Sequence, residues 1–431
     1  MFRSLATGLV ALLLAVSLAA CSPGGGSLKV VNVPKDASTL NGAMELVAPG
    51  GEIVIAAGRY EEQLVVTKAD VTIRGAERNA TIIDGGGIRP YGIVGLADGV
   101  TIENLTVTGA TFYGVLVTGL HDATGPANPG ADGYTNWDPT KFPPLGRFLV
   151  DHVTAYNNGL YGIYAFNSNH GVIRDSYASG SADSGFYVGQ CQKCDILVTG
   201  NVAERNAVGF ENANASDSVV IVGNRFSGNR VGLTLLSSYQ EAFTPQRANT
   251  VVGNLIANNT EADSPKQAEG GFATGIGIGG GQGNVITDNR ITGNPRAAVI
   301  LTNTEDIPAT GNRFSGNVVD GDIAIANYSA DRAAAKANCW EDGGTTAPEA
   351  LLGELTAACG GDASPQSAAP ATSSDPAPPG VSFRKVALPR AQPQLEAPAN
   401  RARLPESVTM PDTAQVTVPD DAYLADRSGS Q

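Results

Sequence analysis

A carboxylate and a phenol can serve as general base and general acid on one bond when both come within hydrogen-bond reach of it. Glu211 and Tyr187 are candidates for such a pair. Each follows a glycine by two positions (Gly209 and Gly185), as Tyr164 follows Gly162. Residues at equal places in a repeat line up in space, so these three would form one column. Five residues after each glycine come Asn167, Gln190 and Asn214, and beyond them His170, Lys193 and Asp217. Asp183 lies two residues before Gly185. Aromatic faces, amides and a carboxylate suit sugar rings, whose C–H faces stack while their hydroxyls hydrogen-bond. Glu211 and Tyr187 are therefore the catalytic candidates. Tyr164, Asn167, His170, Asp183, Gln190, Lys193 and Asn214 are the substrate-binding candidates. The same residues admit plainer roles: tyrosines shielding a sheet, Asp183 capping a turn, and a surface stack of charges worth little.

Whether they meet depends on the element that carries them. Short apolar segments, each opened by glycine or a small residue, begin at Gly92, Gly114, Gly162, Gly185, Gly209, Gly232, Gly275, Ala298 and Asp322. The steps are 22, 48, 23, 24, 23, 43, 23 and 24 residues. A period near 23 with alternating apolar residues is one coil of three short strands, and fixed periods mark solenoids. The expected fold is all-β, a right-handed parallel β-helix of about ten or eleven coils, roughly 50 Å long at the spacing of stacked strands. Ile93, Val115, Ile163, Phe186, Phe210 and Leu233 should face inward. Their successors Val94, Leu116, Tyr164, Tyr187, Glu211, Thr234, Gly277, Ile300 and Ala324 should face out. Two asparagine columns support the period. One runs Asn104, His152, Ser176, Asn201, Asn224, Asn254, Asn289, Asn312; the other, five residues on, ends Asn259, Asn294, Asn317. Asparagine tolerates the left-handed backbone of a tight turn. Insertions at Leu120–Gly146, Ser238–Asn249 and Thr260–Phe272 flank one strand face and would wall a groove.

The segment G-G-E-I-V-I-A-A-G-R-Y-E-E-Q-L-V-V, with V-T-I-R-G-A and T-I-I-D-G after it, resembles the first coils of the pectin-lyase-like superfamily. The chain as a whole is similar to a bacterial family of exported β-helix lipoproteins, most clearly at D-S-G-F-Y-V-G-Q, residues 183–190. That superfamily includes pectate lyases, polygalacturonases, alginate epimerases and a periplasmic protein of copper-enzyme maturation. The resemblance implies the fold and export, not a reaction. Pectin methylesterase strands are absent. Where epimerases carry an Asp-Pro-His-Asp run, this chain has Gly185-Phe186-Tyr187-Val188-Gly189-Gln190.

The N-terminus reads as an exported lipoprotein. One arginine precedes an apolar run from Leu5 to Leu18, and Leu18-Ala19-Ala20-Cys21 resembles a lipobox. Residues 1–20 are the expected signal peptide and 21–27 a tether. Residues 28–337 are the expected β-helix, with a helical cap over residues 38–48 after Ser38. Residues 338–360 are the expected C-terminal cap, and 361–431 a disordered tail holding 11 of the 25 prolines. Besides Cys21 there are four cysteines, an even set that reads as disulfides in an exported chain. Cys339–Cys359 would staple the C-terminal cap and Cys191–Cys194 a turn, with no metal assigned. A net charge of −14 argues against nucleic acid. No cofactor is identified; Ca2+ would be needed to bridge a polyanionic sugar. The function expected is binding or processing of an envelope polysaccharide, by lyase or glycoside hydrolase-like chemistry if catalytic. The alternatives are a scaffold for another exported protein and a periplasmic maturation factor. The membrane is expected to be touched through the lipid anchor alone. Mass spectrometry of the mature protein should find Cys21 acylated at the N-terminus; an unmodified cysteine there would overturn the anchor.

Overall fold

The computed structural model describes residues 27–126, 138–266, 271–370, 377–396 and 403–429. Cys21, the signal, most of the tether, and Asp132 and Trp137 of the first insertion lie outside these residues. The chain winds as a right-handed parallel β-helix. Each coil contributes strands to stacked parallel sheets, and one sheet holds eleven strands, from Leu64–Val66 to Thr346–Ala347. This sheet, called the third here, carries the candidate residues. Its register puts Ile93, Val115, Ile163, Phe186, Phe210, Leu233, Ile276, Val299 and Ile325 side by side. All are sealed in the interior. The outward neighbours run as read from the sequence as far as Ile300. The residue beside Ile300 is Ala326, not Ala324, because that coil opens two residues later than its Gly-Asp suggests.

Asparagine amides tie coil to coil. Asn201 takes its place in a chain with Asn224, Asn254 and Asn289, each Nδ2 donating to the next Oδ1 at 2.9 Å. The chain continues to Asn317, not Asn312. Asn312 belongs to a third ladder, Asn284–Asn312–Asn338. The coil between Asn289 and Asn317 is 28 residues, five longer than the shortest at 23, and the two expected columns were also five apart. The slip moved both assignments by one ladder. The other ladder runs Asn206, Asn229, Asn259, Asn294.

Both ends are covered. Helix α1, Leu40–Leu46, buries Leu40, Ala43 and Met44. Its N-cap is Thr39 and not Ser38, Thr39 Oγ1 accepting from Gly42 N at 3.0 Å. Helix α2, Leu351–Cys359, buries Leu351 and Leu355 and is joined to the last strands by Cys339–Cys359. Cys191 and Cys194 are also bonded to each other.

The tail is not disordered over its described residues. It adds no coil, yet it runs along the body as a strap. Gln366 caps the third ladder through Asn338 Nδ2 at 2.8 Å. Pro378 O accepts from Arg230 and Pro393 O from the buried Arg78, both near the far coils from one another. Tyr423 donates to Gly223 O. Arg427, buried, donates to Gly200 O at 2.7 Å and to Ser176 O. Glu204 accepts from Ser428 Oγ and Gly429 N. Composition misled here: a proline-rich strand needs no internal core when the sheet it lies on supplies polar partners. Arg427→Ala should lower stability by about 1–3 kcal/mol, the loss of charged hydrogen bonds to buried carbonyls; urea unfolding with no change would show that the strap contributes nothing.

Candidate functional site

Three tyrosines precede the opening glycines of successive coils: Tyr91, Tyr113 and Tyr161. Their rings stack in a row, 5.6 Å and 5.5 Å between centroids. Tyr164 and Tyr187 fill the adjoining outward column, where their register is continuous. Tyr161 lies 4.7 Å from each of them. Phe166, Leu116 and Leu120 complete this apolar surface, with Phe142 of the first insertion packed against it. The outward direction inferred for Tyr164 and Tyr187 is correct, but they do not form an open wall. The first insertion and neighbouring rings leave them 5% and 1% exposed. Half-buried Tyr113 and Tyr161 are the rings left at the rim, with Phe112 exposed beside them.

At the end of the tyrosine row the repeat changes character. Ser184 takes the place before the glycine, and Glu211 succeeds Tyr187 in the outward column. Ser184 Oγ donates to Glu211 Oε2 at 2.6 Å and lies 3.4 Å from Asp183 Oδ1. One hydroxyl therefore lies between two carboxyl groups. The second insertion brings a third, Glu241, whose Oε1 accepts from the Tyr187 phenol at 2.6 Å. Its Oε2 is sealed from solvent and unpartnered, as is Thr234 Oγ1, one coil beyond Glu211. Glu211 and Tyr187 are thus neighbours, as the sequence suggested, but each is held by another residue.

Burial governs the protonation of the cluster. It pushes the Asp183 carboxyl up to about 6 and Glu241 up to about 7. Glu211 is raised well above the ordinary range by burial and then by Asp183. The phenols of Tyr187 and Tyr161 are raised too, by burial and by the nearby carboxyls. The tyrosines stay protonated as donors, and the carboxyls can carry a proton near neutrality. Such a group can act as a general acid while a neighbour stays ionised.

The amides proposed to bind substrate do something else. Asn167, Gln190 and Asn214 are fully buried with positive φ of 47°, 46° and 42°. They hold the insertions down. Asn167 Nδ2 donates to Phe142 O, and Gln190 Oε1 accepts from Ala242 N. Asn214 binds Glu241 O and Thr244 Oγ1, and accepts from Ser238 N. In this arrangement they position the loops, and their side chains are sealed from solvent. His170 Nδ1 lies 2.8 Å from Asp195 Oδ2, which also accepts from Val408 N of the tail. Lys193 is exposed in a turn. Among the described residues neither is bonded to the carboxyl cluster. Asp183 does join Glu211. Glu241 was not found from the sequence, since periodicity does not say where a loop side chain lands. Tyr91, Tyr113 and Tyr161 could have been found from the recurring Tyr-Gly.

The coil geometry defines the class: a right-handed parallel β-helix. Residues 69–270 match the model of a family described as periplasmic copper-binding protein (NosD). No curated protein matches the chain. Among solved structures, the A-module of a mannuronan C-5 epimerase from Azotobacter vinelandii is 17% identical with a TM-score of 0.46, the alignment covering 69% of this chain and 87% of that one. An alginate lyase from Paenibacillus is 18% identical with a TM-score of 0.39, covering 68% and 95%. A lacto-N-biosidase from Eubacterium ramulus is 12% identical with a TM-score of 0.42, covering 71% and 63%.

Among the described residues the sulfur donors do not fit copper. The sulfurs of Cys191, Cys194, Cys339 and Cys359 are in disulfides. Met44 is buried under the cap and Met410 lies in the strap against Val252 and its neighbours. Asp151, His152 and Asp175 come together, but Arg174 binds Asp151 at 2.7 Å and Arg427 lies 3.6 Å from Asp175. Two guanidinium groups already supply the positive charge there.

The raised carboxyls make stability depend on pH. Glu241 titrates near 7 folded and about 4.3 unfolded, so the folded state holds the extra proton between those values. Its contribution is fully present at low pH and is lost as pH rises through 7. Glu241→Gln should therefore gain about 1–3 kcal/mol on the parent between pH 5 and 8; unfolding curves with a constant offset would refute the assignment.

Proposed function

We propose that the protein is an exported glycan-binding protein, anchored to the membrane by acylated Cys21, that binds its ligand on the loop-walled face of the third sheet. The observation that carries this is the convergence of Asp183, Glu211 and Glu241 at one end of a row of tyrosines. Rings at the rim offer stacking surface, and the carboxyls offer hydrogen bonds to hydroxyls. The ligand is an envelope polysaccharide. Two disulfides and a family model described as periplasmic support export. Among the described residues no helix is long and apolar enough to cross a membrane.

The cluster also has the makings of hydrolysis at a glycosidic bond. A protonated Glu211 or Glu241 would donate to the leaving oxygen, with ionised Asp183 stabilising positive charge or activating water. Tyr187 acts on this through Glu241 and is a positioning residue. A panel of polysaccharides, tested with and without calcium for binding and for product, examines both parts. Tyr161→Ala should weaken binding by about 1–3 kcal/mol, the scale of an aromatic hot spot, while outward Ile300→Ala should not. Glu211→Gln should abolish turnover even at saturating polymer. If Tyr161→Ala binds every recognised polymer like the parent, the face is misassigned; if Glu211→Gln still turns over, the catalytic part falls.

A further inference from the structure

The geometry points to a glycan built of hexosamine units with free amino groups as the ligand of this site, an inference that rests on the glycan reading above. Three carboxyl groups face the same place, and among the described residues the groups acting on their protonation are one another, phenols and Ser184. No lysine, arginine or histidine takes part. Three other buried or half-buried carboxylates are paired with cations: Asp151 with Arg174, Asp70 with Arg147, Glu204 with Arg205. The cluster has no such cation, and a uronate placed there would add a further acid to three acids on a protein whose net charge is already −14.

Two further observations favour an ammonium. Glu241 Oε2 and Thr234 Oγ1 are sealed and unpartnered, two oxygens that can accept once Glu241 ionises. An ammonium supplies three donors and no acceptor. The neighbouring surface is aromatic, with Tyr161 within 4.7 Å of Tyr164 and Tyr187 and next to the acids. Ring faces and carboxylates together stabilise a cation better than either alone. A divalent ion fits less well. Among the described residues these three carboxyls do not gather within one coordination sphere, and calcium takes roughly six to eight oxygen ligands. An ammonium needs only one or two carboxylates. Entry requires the insertion Ser238–Asn249, which carries Glu241, to shift.

The linkage is specific. At pH 6 the cluster holds protons because burial disfavours its charge; a bound ammonium favours ionisation and drives protons off. Titration calorimetry of the purified full chain at pH 6, in two buffers of different ionisation enthalpy, reads this directly. Fully de-N-acetylated glucosamine oligomers should bind at least tenfold more tightly than their N-acetylated counterparts, with net proton release. Glu211→Gln and Glu241→Gln, each checked for parental circular dichroism and cooperative unfolding, should reduce both the affinity and the release. Equal or tighter binding of the acetylated oligomer, binding without proton release, or uronate oligomers binding best would overturn the inference while leaving the glycan reading intact. Absence of binding by amino, acetylated and uronate oligomers alike would overturn both.

Discussion

The structure depends on hydrogen bonds between stacked side-chain amides at the corners of the coil. A three-sided coil must bend sharply, and each bend leaves backbone polar groups pointing along the helix axis with no strand partner. An unpaired buried N–H or C=O costs about 1–3 kcal/mol. An asparagine at the bend answers this in both directions. Asn224, for example, accepts at Oδ1 from Asn201 N and donates from Nδ2 to Val198 O and to Asn254 Oδ1. Each amide thus satisfies the coil before it and is satisfied by the coil after it. The sheets stack because the corners do.

The same device was turned outward to build the candidate site. Asn167, Gln190 and Asn214 occupy bends on successive coils, and their spare hydrogen-bonding capacity goes to the backbones of the two insertions. That places Glu241 over Tyr187 and Glu211 on rigid footing. Loop-borne groups are usually the least fixed in a protein; here the loop that carries a titrating carboxyl is held by residues that belong to the scaffold. The carboxyls keep raised affinities for protons because the loops exclude water from them.

The fold was legible because a solenoid repeats its signals. Inward Ile163, Phe186 and Phe210 and outward Tyr164, Tyr187 and Glu211 followed from alternation alone. Register failed where an insertion matched another spacing in the pattern, at Asn312 and Asn317, and at Ala324, where the coil opens two residues late. The site was half legible. Side chains on strands could be placed, so Asp183, Tyr187 and Glu211 were brought together. Asn167, Gln190 and Asn214 were placed in the right column, yet their bends turn them into the protein, which alternation cannot show. Glu241 and the path of the tail were beyond reach, since neither obeys the period.

The strap changes how the molecule would come apart. In a bare solenoid each coil touches only its neighbours, so stability is a sum of local terms and the ends can fray independently. Here the C-terminal residues return to distant coils, from Arg78 near one end to Arg230 and Arg290 towards the other. Coils far apart in the stack are thereby ligands of one chain segment. Unwinding an end requires releasing contacts made elsewhere, and a one-dimensional array acquires the all-or-none character of a globular domain.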